Sequence, residues 1–196
     1  MTINPSTDAL VIVDVQNDFC PGGSLAVPDG DKVVPLLNRY IDRFAALKGL
    51  IFASRDWHPA VTKHFKAYGG VWPPHCVQGT KGAEFHADLK LPGDTVIVSK
   101  GMDPEADAYS CFQADDPNGM PFAAALGEGS VQRLFVGGLA TDYCVKATVL
   151  DALKEGFRVV VLEDAIRAVD VNPGDGAKAL EEMKAAGATL VRLADL

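Results

Sequence analysis

The chain has 196 residues, 48% of them hydrophobic and 22% charged. That balance excludes disordered and fibrous classes and fits a single domain spanning residues 1–196. Lys+Arg 18 against Asp+Glu 26 gives a net charge of -8, with no basic cluster to bind nucleic acid; no apolar run reaches the roughly 18–20 residues of a membrane span.

The chain opens Met1-Thr-Ile-Asn-Pro-Ser-Thr-Asp8. This stretch lacks a charged-then-apolar leader pattern, so a cytoplasmic location is expected. Cys20, Cys76, Cys111 and Cys144 show no CxxC pairing, which points to reduced thiols rather than a disulfide framework. Short Val- and Ile-rich runs recur along the chain at 9–13, 50–53, 95–98, 133–136, 159–162 and 189–191. Each lacks strict alternation, as strands covered on both faces of a parallel sheet do. Between them, residues 31–46 place Val34, Leu37, Ile41 and Ala45 on one helical stripe. Residues 143–155 do the same with Val145, Val149 and Leu153, and 175–186 with Ala179, Leu180, Met183 and Ala186. Gly49, Gly156 and Gly187 follow as stops. The alternation predicts an α/β fold with a doubly wound, mostly parallel six-stranded sheet and helices on both faces. Residues 56–94 and 101–121 break the rhythm. Both follow strand ends, where open α/β sheets place their ligand sites.

Three groups of residues carry chemistry. Asp14 closes the first strand, where partial burial would raise its pKa toward the range of a general base; a carboxylate bonded to loop amides is the bland alternative. Lys100 closes the third strand and leaves it on the same side of a parallel sheet; the alternative is a head in solvent. Cys144 follows Gly137-Gly138-Leu139-Ala140-Thr141-Asp142-Tyr143. With Thr141 or Asp142 as cap, it falls in the first turn of a helix, where free amides favour a thiolate and can hold an oxyanion. Its alternative is a small core residue. The third group is Asp56-Trp57-His58, then His64, then Trp72-Pro73-Pro74-His75. One carboxylate with two or three imidazoles suits zinc, iron or manganese, against the alternative of polar surface histidines. Cys76 reads as structural and His86 as surface. Phe19, Trp72 and Tyr109 lie in the same loops and could wall a pocket for a flat ring.

Taken together, Asp14-Val-Gln-Asn-Asp-Phe19-Cys-Pro-Gly-Gly-Ser24, Arg55-Asp56-Trp57-His58-Pro59, Trp72-Pro-Pro-His75-Cys76, Lys100-Gly101 and Gly138-Leu-Ala-Thr-Asp-Tyr-Cys144 resemble the nicotinamidases of the isochorismatase-like cysteine hydrolase superfamily. The resemblance covers nearly the whole chain. It implies a triad of Asp14, Lys100 and Cys144. It also implies one divalent cation, zinc first with iron or manganese as alternatives, held by Asp56, His58 and His75, with His64 as a direct or water-mediated ligand. A cis peptide at Leu139–Ala140 is implied, aiming the amides of Ala140 and Cys144 at the oxyanion, with Phe19, Trp72 and Tyr109 flanking a pyridine ring. The implied reaction takes nicotinamide and water to nicotinate and ammonia through a thioester, in NAD salvage, with pyrazinamide-like analogues as further substrates. Cys111 departs from the pattern, since relatives often carry alanine there. Rival readings are a hydrolase of another small amide or carbamoyl compound, and a non-catalytic binding module on the same fold. A dinucleotide binder is disfavoured, because the first strand runs into Asp-Val-Gln-Asn-Asp and not Gly-x-Gly-x-x-Gly. The sequence leaves monomer and homo-oligomer equally open.

Overall fold

A computed structural model describes residues 1–196. Six strands, β1 (Asp8–Val13), β2 (Leu50–Asp56), β3 (Val96–Lys100), β4 (Arg133–Leu139), β5 (Arg158–Arg167) and β6 (Thr189–Val191), form one sheet. Their order is β3-β2-β1-β4-β5-β6, and every pairing is parallel. The helices are α1 (Val33–Ala46), α2 (Phe122–Glu128), α3 (Lys146–Lys154) and α4 (Asp175–Ala185). No helix is long and apolar enough to cross a membrane.

The strands read as unbroken apolar runs because both faces are covered. In β1, Leu10 and Ile12 join one core with Leu37, Ile41 and Phe44 of α1. Ala9, Val11 and Val13 join the other, with Phe122 and Leu126 of α2, Val149 of α3 and Met183 of α4. Each of these Val, Leu, Ile, Phe and Met side chains contributes about 1.5–3 kcal/mol on burial, well above the roughly 0.5–1 kcal/mol of rotamer entropy that Ile or Leu loses. α1 follows from its sequence: Val33, Val34, Leu37, Tyr40, Ile41 and Phe44 are its buried residues, at the three- and four-residue spacing of one face.

The expected doubly wound six-stranded sheet is present, and it is parallel throughout. Other details differ. α2 was not anticipated; it buries only Phe122 and Leu126, too short a stripe to register as a period. The first helix stops through Lys48, which takes the positive φ of 56°, while Gly49 donates its N–H to the Phe44 carbonyl at 2.9 Å. Residues 56–94 and 101–121 are irregular apart from short 3-10 turns.

Sheet order decides what meets at the carboxyl edge. β3, β2, β1 and β4 are consecutive neighbours, and Asp56 is paired in register with Lys100. Asp14 follows β1 and Cys144 lies just beyond β4, so four adjacent strands deliver four reactive groups to one edge. Gly138 permits the closest of these approaches: its φ is +126°, and a Cβ there would sit 2.1 Å from the Val13 carbonyl oxygen. Gly138→Ala is therefore expected to destabilise the fold by more than about 1 kcal/mol, read as a lower thermal midpoint.

Candidate active site

Lys100 is buried at the centre of the edge. Its Nζ lies 2.8 Å from Asp14 Oδ2 and 3.4 Å from Cys144 Sγ, and it donates a short hydrogen bond to Asp56 Oδ1. Asp14 has a φ of 48°, and its Oδ1 accepts from Ser54 Oγ at 2.7 Å. Oδ2 faces the ammonium as an ion pair yet receives no well-aligned hydrogen bond, which leaves it a lone pair for a proton. Burial raises the Asp14 carboxyl above its ordinary value, against the opposing pull of Lys100. Burial also disfavours the charge on Lys100, but Asp14, Asp56 and Cys144 beside it outweigh that and keep the ammonium protonated. Burial pushes the Cys144 thiol well above its ordinary value; Lys100 opposes this, and Asp14 and Asp56 reinforce it.

Burial thus opposes the thiolate that the amides of a helix start favour. The local backbone differs from the expected helix start. Thr141–Val145 form a π-helical turn ahead of α3, with Ala140 at its cap position and no side-chain cap. Asp142 does not cap. Its carboxylate accepts the N–H groups of Val169 and Asp170, each at 2.9 Å, tying the Cys144 turn to the segment after β5. The Leu139–Ala140 peptide is cis.

Beside this group, His58, His64 and His75 are all buried, with one ring nitrogen from each lying within 4.8 Å of the others. Asp56 Oδ2 is 3.7 Å from His58 Nε2 and 3.9 Å from His75 Nε2. Every Nδ1 is engaged away from the cluster: His58 with the Gly101 carbonyl at 3.0 Å, His75 with the Pro73 carbonyl at 2.8 Å, and His64 with Asp107 at 2.5 Å. Each Nε2 is thereby left free for the common centre, and His58 Nε2 is buried with no hydrogen-bond partner. A buried lone pair without a partner, among imidazoles oriented from outside, fits a divalent cation held by three nitrogens and one carboxylate oxygen. Gly101 matters here as well: its φ is +69°, and a Cβ would stand 2.4 Å from the His58 ring. Asp56 faces both halves, one oxygen toward Lys100 and the other toward the imidazoles. Burial works against its ionisation, but Lys100 and His58 prevail and hold its carboxyl well below the ordinary range.

A pocket opens onto Cys144, Asp56, His64 and His75 together. Phe19, Trp72 and Tyr109 all line it, and Trp72 Nε1 donates to Tyr109 Oη at 2.9 Å. Cys111 faces elsewhere: it is buried in the core, and its N–H donates to Thr148 Oγ1 at 3.0 Å. Cys76 is likewise buried and His86 half-buried. Sequence reasoning missed Tyr143, which lines the cavity with its ring 5.0 Å from that of Trp72. It also missed Ser54 behind Asp14, and Gln16, whose amide accepts from the Asp56 N–H and donates to its carbonyl, both at 2.8 Å.

The chain is thus an α/β protein whose parallel, doubly wound sheet gathers a thiol, an ammonium and a carboxylate at its carboxyl edge. The Isochorismatase domain matches residues 8–195, and the chain belongs to that family. It is 44% identical to the nicotinamidase of Escherichia coli over 206 aligned residues, covering 95% of each chain. Among solved structures, pyrazinamidase of Pyrococcus horikoshii in complex with zinc superposes with a TM-score of 0.88 at 48% identity, over 95% of this chain and 99% of that one. PnC1 from L. infantum in complex with nicotinate gives 0.88 at 38% identity, over 99% of this chain and 96% of that one.

Burial of the imidazoles sets a pH response. It lowers the His75 pKa to about 4 and lowers that of His64 as well. The unfolded chain, with histidines near 6.5, then binds more protons than the folded one between those values. Stability consequently rises with pH across this window and falls as pH drops from about 6.5 toward 4. Denaturant midpoints of metal-free protein against pH check this; a flat profile contradicts it.

Proposed function

We propose that the chain is a metal-dependent cysteine amidohydrolase that converts nicotinamide and water to nicotinate and ammonia. The observation that carries this reading is the shared cavity: the Cys144 sulfur and the imidazole–carboxylate cluster open into one aromatic-walled space. An aliphatic amide has no use for a second anchor beside the nucleophile, whereas a heteroaromatic ring with its own nitrogen does. The names of the E. coli, P. horikoshii and L. infantum relatives point the same way.

Asp56, His58, His64 and His75 would hold the cation, with zinc the first choice and iron or manganese as alternatives; when bound, it supplies a Lewis-acidic anchor for the ring nitrogen. Phe19, Trp72 and Tyr109 flank the ring and exclude water from it. Asp14 Oδ2, poised by burial, takes the Cys144 thiol proton as the sulfur attacks the carboxamide carbon. Lys100 stays protonated and offsets the negative charge that passes between sulfur and carboxylate. The amides of Ala140 and Cys144 receive the oxyanion. Asp14 returns the proton to the departing nitrogen, the C–N bond breaks, and ammonia leaves a thioester on Cys144. Asp14 then takes a proton from water as it attacks the acyl carbon. The C–S bond breaks, and the thiol is restored with release of nicotinate.

Ammonia release by purified protein tests the reading. Nicotinamide and pyrazinamide are expected to be hydrolysed and aliphatic amides not. Chelation should abolish turnover and zinc should restore it, with elemental analysis of the same sample reporting the resident ion. No ammonia from nicotinamide with fully metallated protein overturns the assignment in favour of another amide or carbamoyl substrate. Asp14→Asn keeps the shape and removes the base, so kcat should fall about 10²–10⁴-fold, measured in the same assay.

A further inference from the structure

His64 differs from the other two imidazoles in what holds it. His58 and His75 lean on the neutral backbone carbonyls of Gly101 and Pro73. His64 leans on the Asp107 carboxylate, whose side chain is 56% exposed. His64 lies in the irregular stretch beyond β2, buried and with its ring stacked on that of His58 at 4.5 Å between centroids. The segment carrying Asp107 is laced to the segment carrying His64. The Lys63 N–H donates to the Pro104 carbonyl at 2.8 Å, and Thr62 Oγ1 donates to the same carbonyl at 3.2 Å. These contacts bring Asp107 to the outer nitrogen of a buried ring whose inner nitrogen belongs to the imidazole cluster.

We propose that Asp107 is a positioning residue of the cation centre: by accepting from His64 Nδ1, it turns Nε2 toward His58 and His75 and strengthens it as a donor, so that cation affinity depends on Asp107. The inference rests on reading the cluster as a cation centre. The physical reasoning has two parts. A hydrogen bond at Nδ1 selects the tautomer whose lone pair sits on Nε2, and it restricts ring rotation. An anionic acceptor also makes Nε2 more basic than a carbonyl acceptor does. Removing such an outer partner generally weakens metal binding 10–100-fold. Glu105, two residues away, has no such role: its pair with Lys63 is exposed, and exposed pairs contribute little.

Competition against a chromophoric chelator measures Zn²⁺ affinity in the full-length protein and its variants. Asp107→Asn, which keeps an acceptor and loses the charge, should bind about tenfold more weakly, and Asp107→Ala up to about 100-fold more weakly. Glu105→Gln should bind as wild type. Co²⁺ loaded in place of Zn²⁺ should show altered d–d absorption in Asp107→Ala, a change that general loosening of the loop would not produce without lost coordination. Wild-type affinity and unaltered Co²⁺ bands in both Asp107 variants overturn the inference while leaving the cation centre intact. An equal loss in Glu105→Gln overturns it too, since the effect would then belong to the loop and not to the carboxylate. Wild-type protein that binds neither ion overturns the underlying reading.

Discussion

One buried ammonium organises the site. A lysine head removed from water is destabilised by several kcal/mol unless anionic partners replace its hydration. Lys100 finds two, Asp14 and Asp56, and touches the Cys144 sulfur as well. Asp14 is fastened in turn by Ser54, and Asp56 by Gln16 through its backbone. The arrangement follows from strand order. β2 lies between β1 and β3, so the long lysine stem reaches past the end of β2 to join the two carboxylates. Removing either carboxylate would leave the ammonium undercompensated, which ties the integrity of the nucleophile to that of the imidazole cluster.

Asp56 is the hinge of this arrangement. Its two oxygens face different partners, Lys100 on one side and the imidazoles on the other. The same residue therefore serves the group that manages protons and the group that would anchor the ring. The cavity joins the two halves. Asp142 supports it from behind, holding the Cys144 turn to Val169, which also lines the cavity.

Much of this was legible in the sequence because the signals were local. Strands covered on both faces read as short Val- and Ile-rich runs, and α1 shows its period over four turns. Asp14, Lys100 and Cys144 were recognisable because each ends or follows such a run. The histidines stood out as three within one irregular stretch. What escaped depends on partners distant in sequence. Asp142 looked like a helix cap, and nothing nearby reveals that its carboxylate serves residues 169 and 170. Ser54 sits inside an apolar strand and reads as core. Asp107 is one of three acidic residues, with Asp103 and Glu105, in a short loop, and only coordinates tell which one reaches His64. Tyr143 was visible in the motif, but its neighbour Trp72 comes from another loop. At Cys144, helix-start amides favour the thiolate while burial opposes it, and that burial is visible only in the coordinates.

The central claim is that a sulfur held against Lys100 carries the reaction in a cavity shared with the cation centre. Its most direct test is nicotinamide turnover by Cys144→Ala protein shown to be folded and to hold as much metal as wild type. The account predicts no ammonia above the buffer blank. Turnover at the wild-type rate would contradict it, since hydrolysis would then proceed without the covalent step.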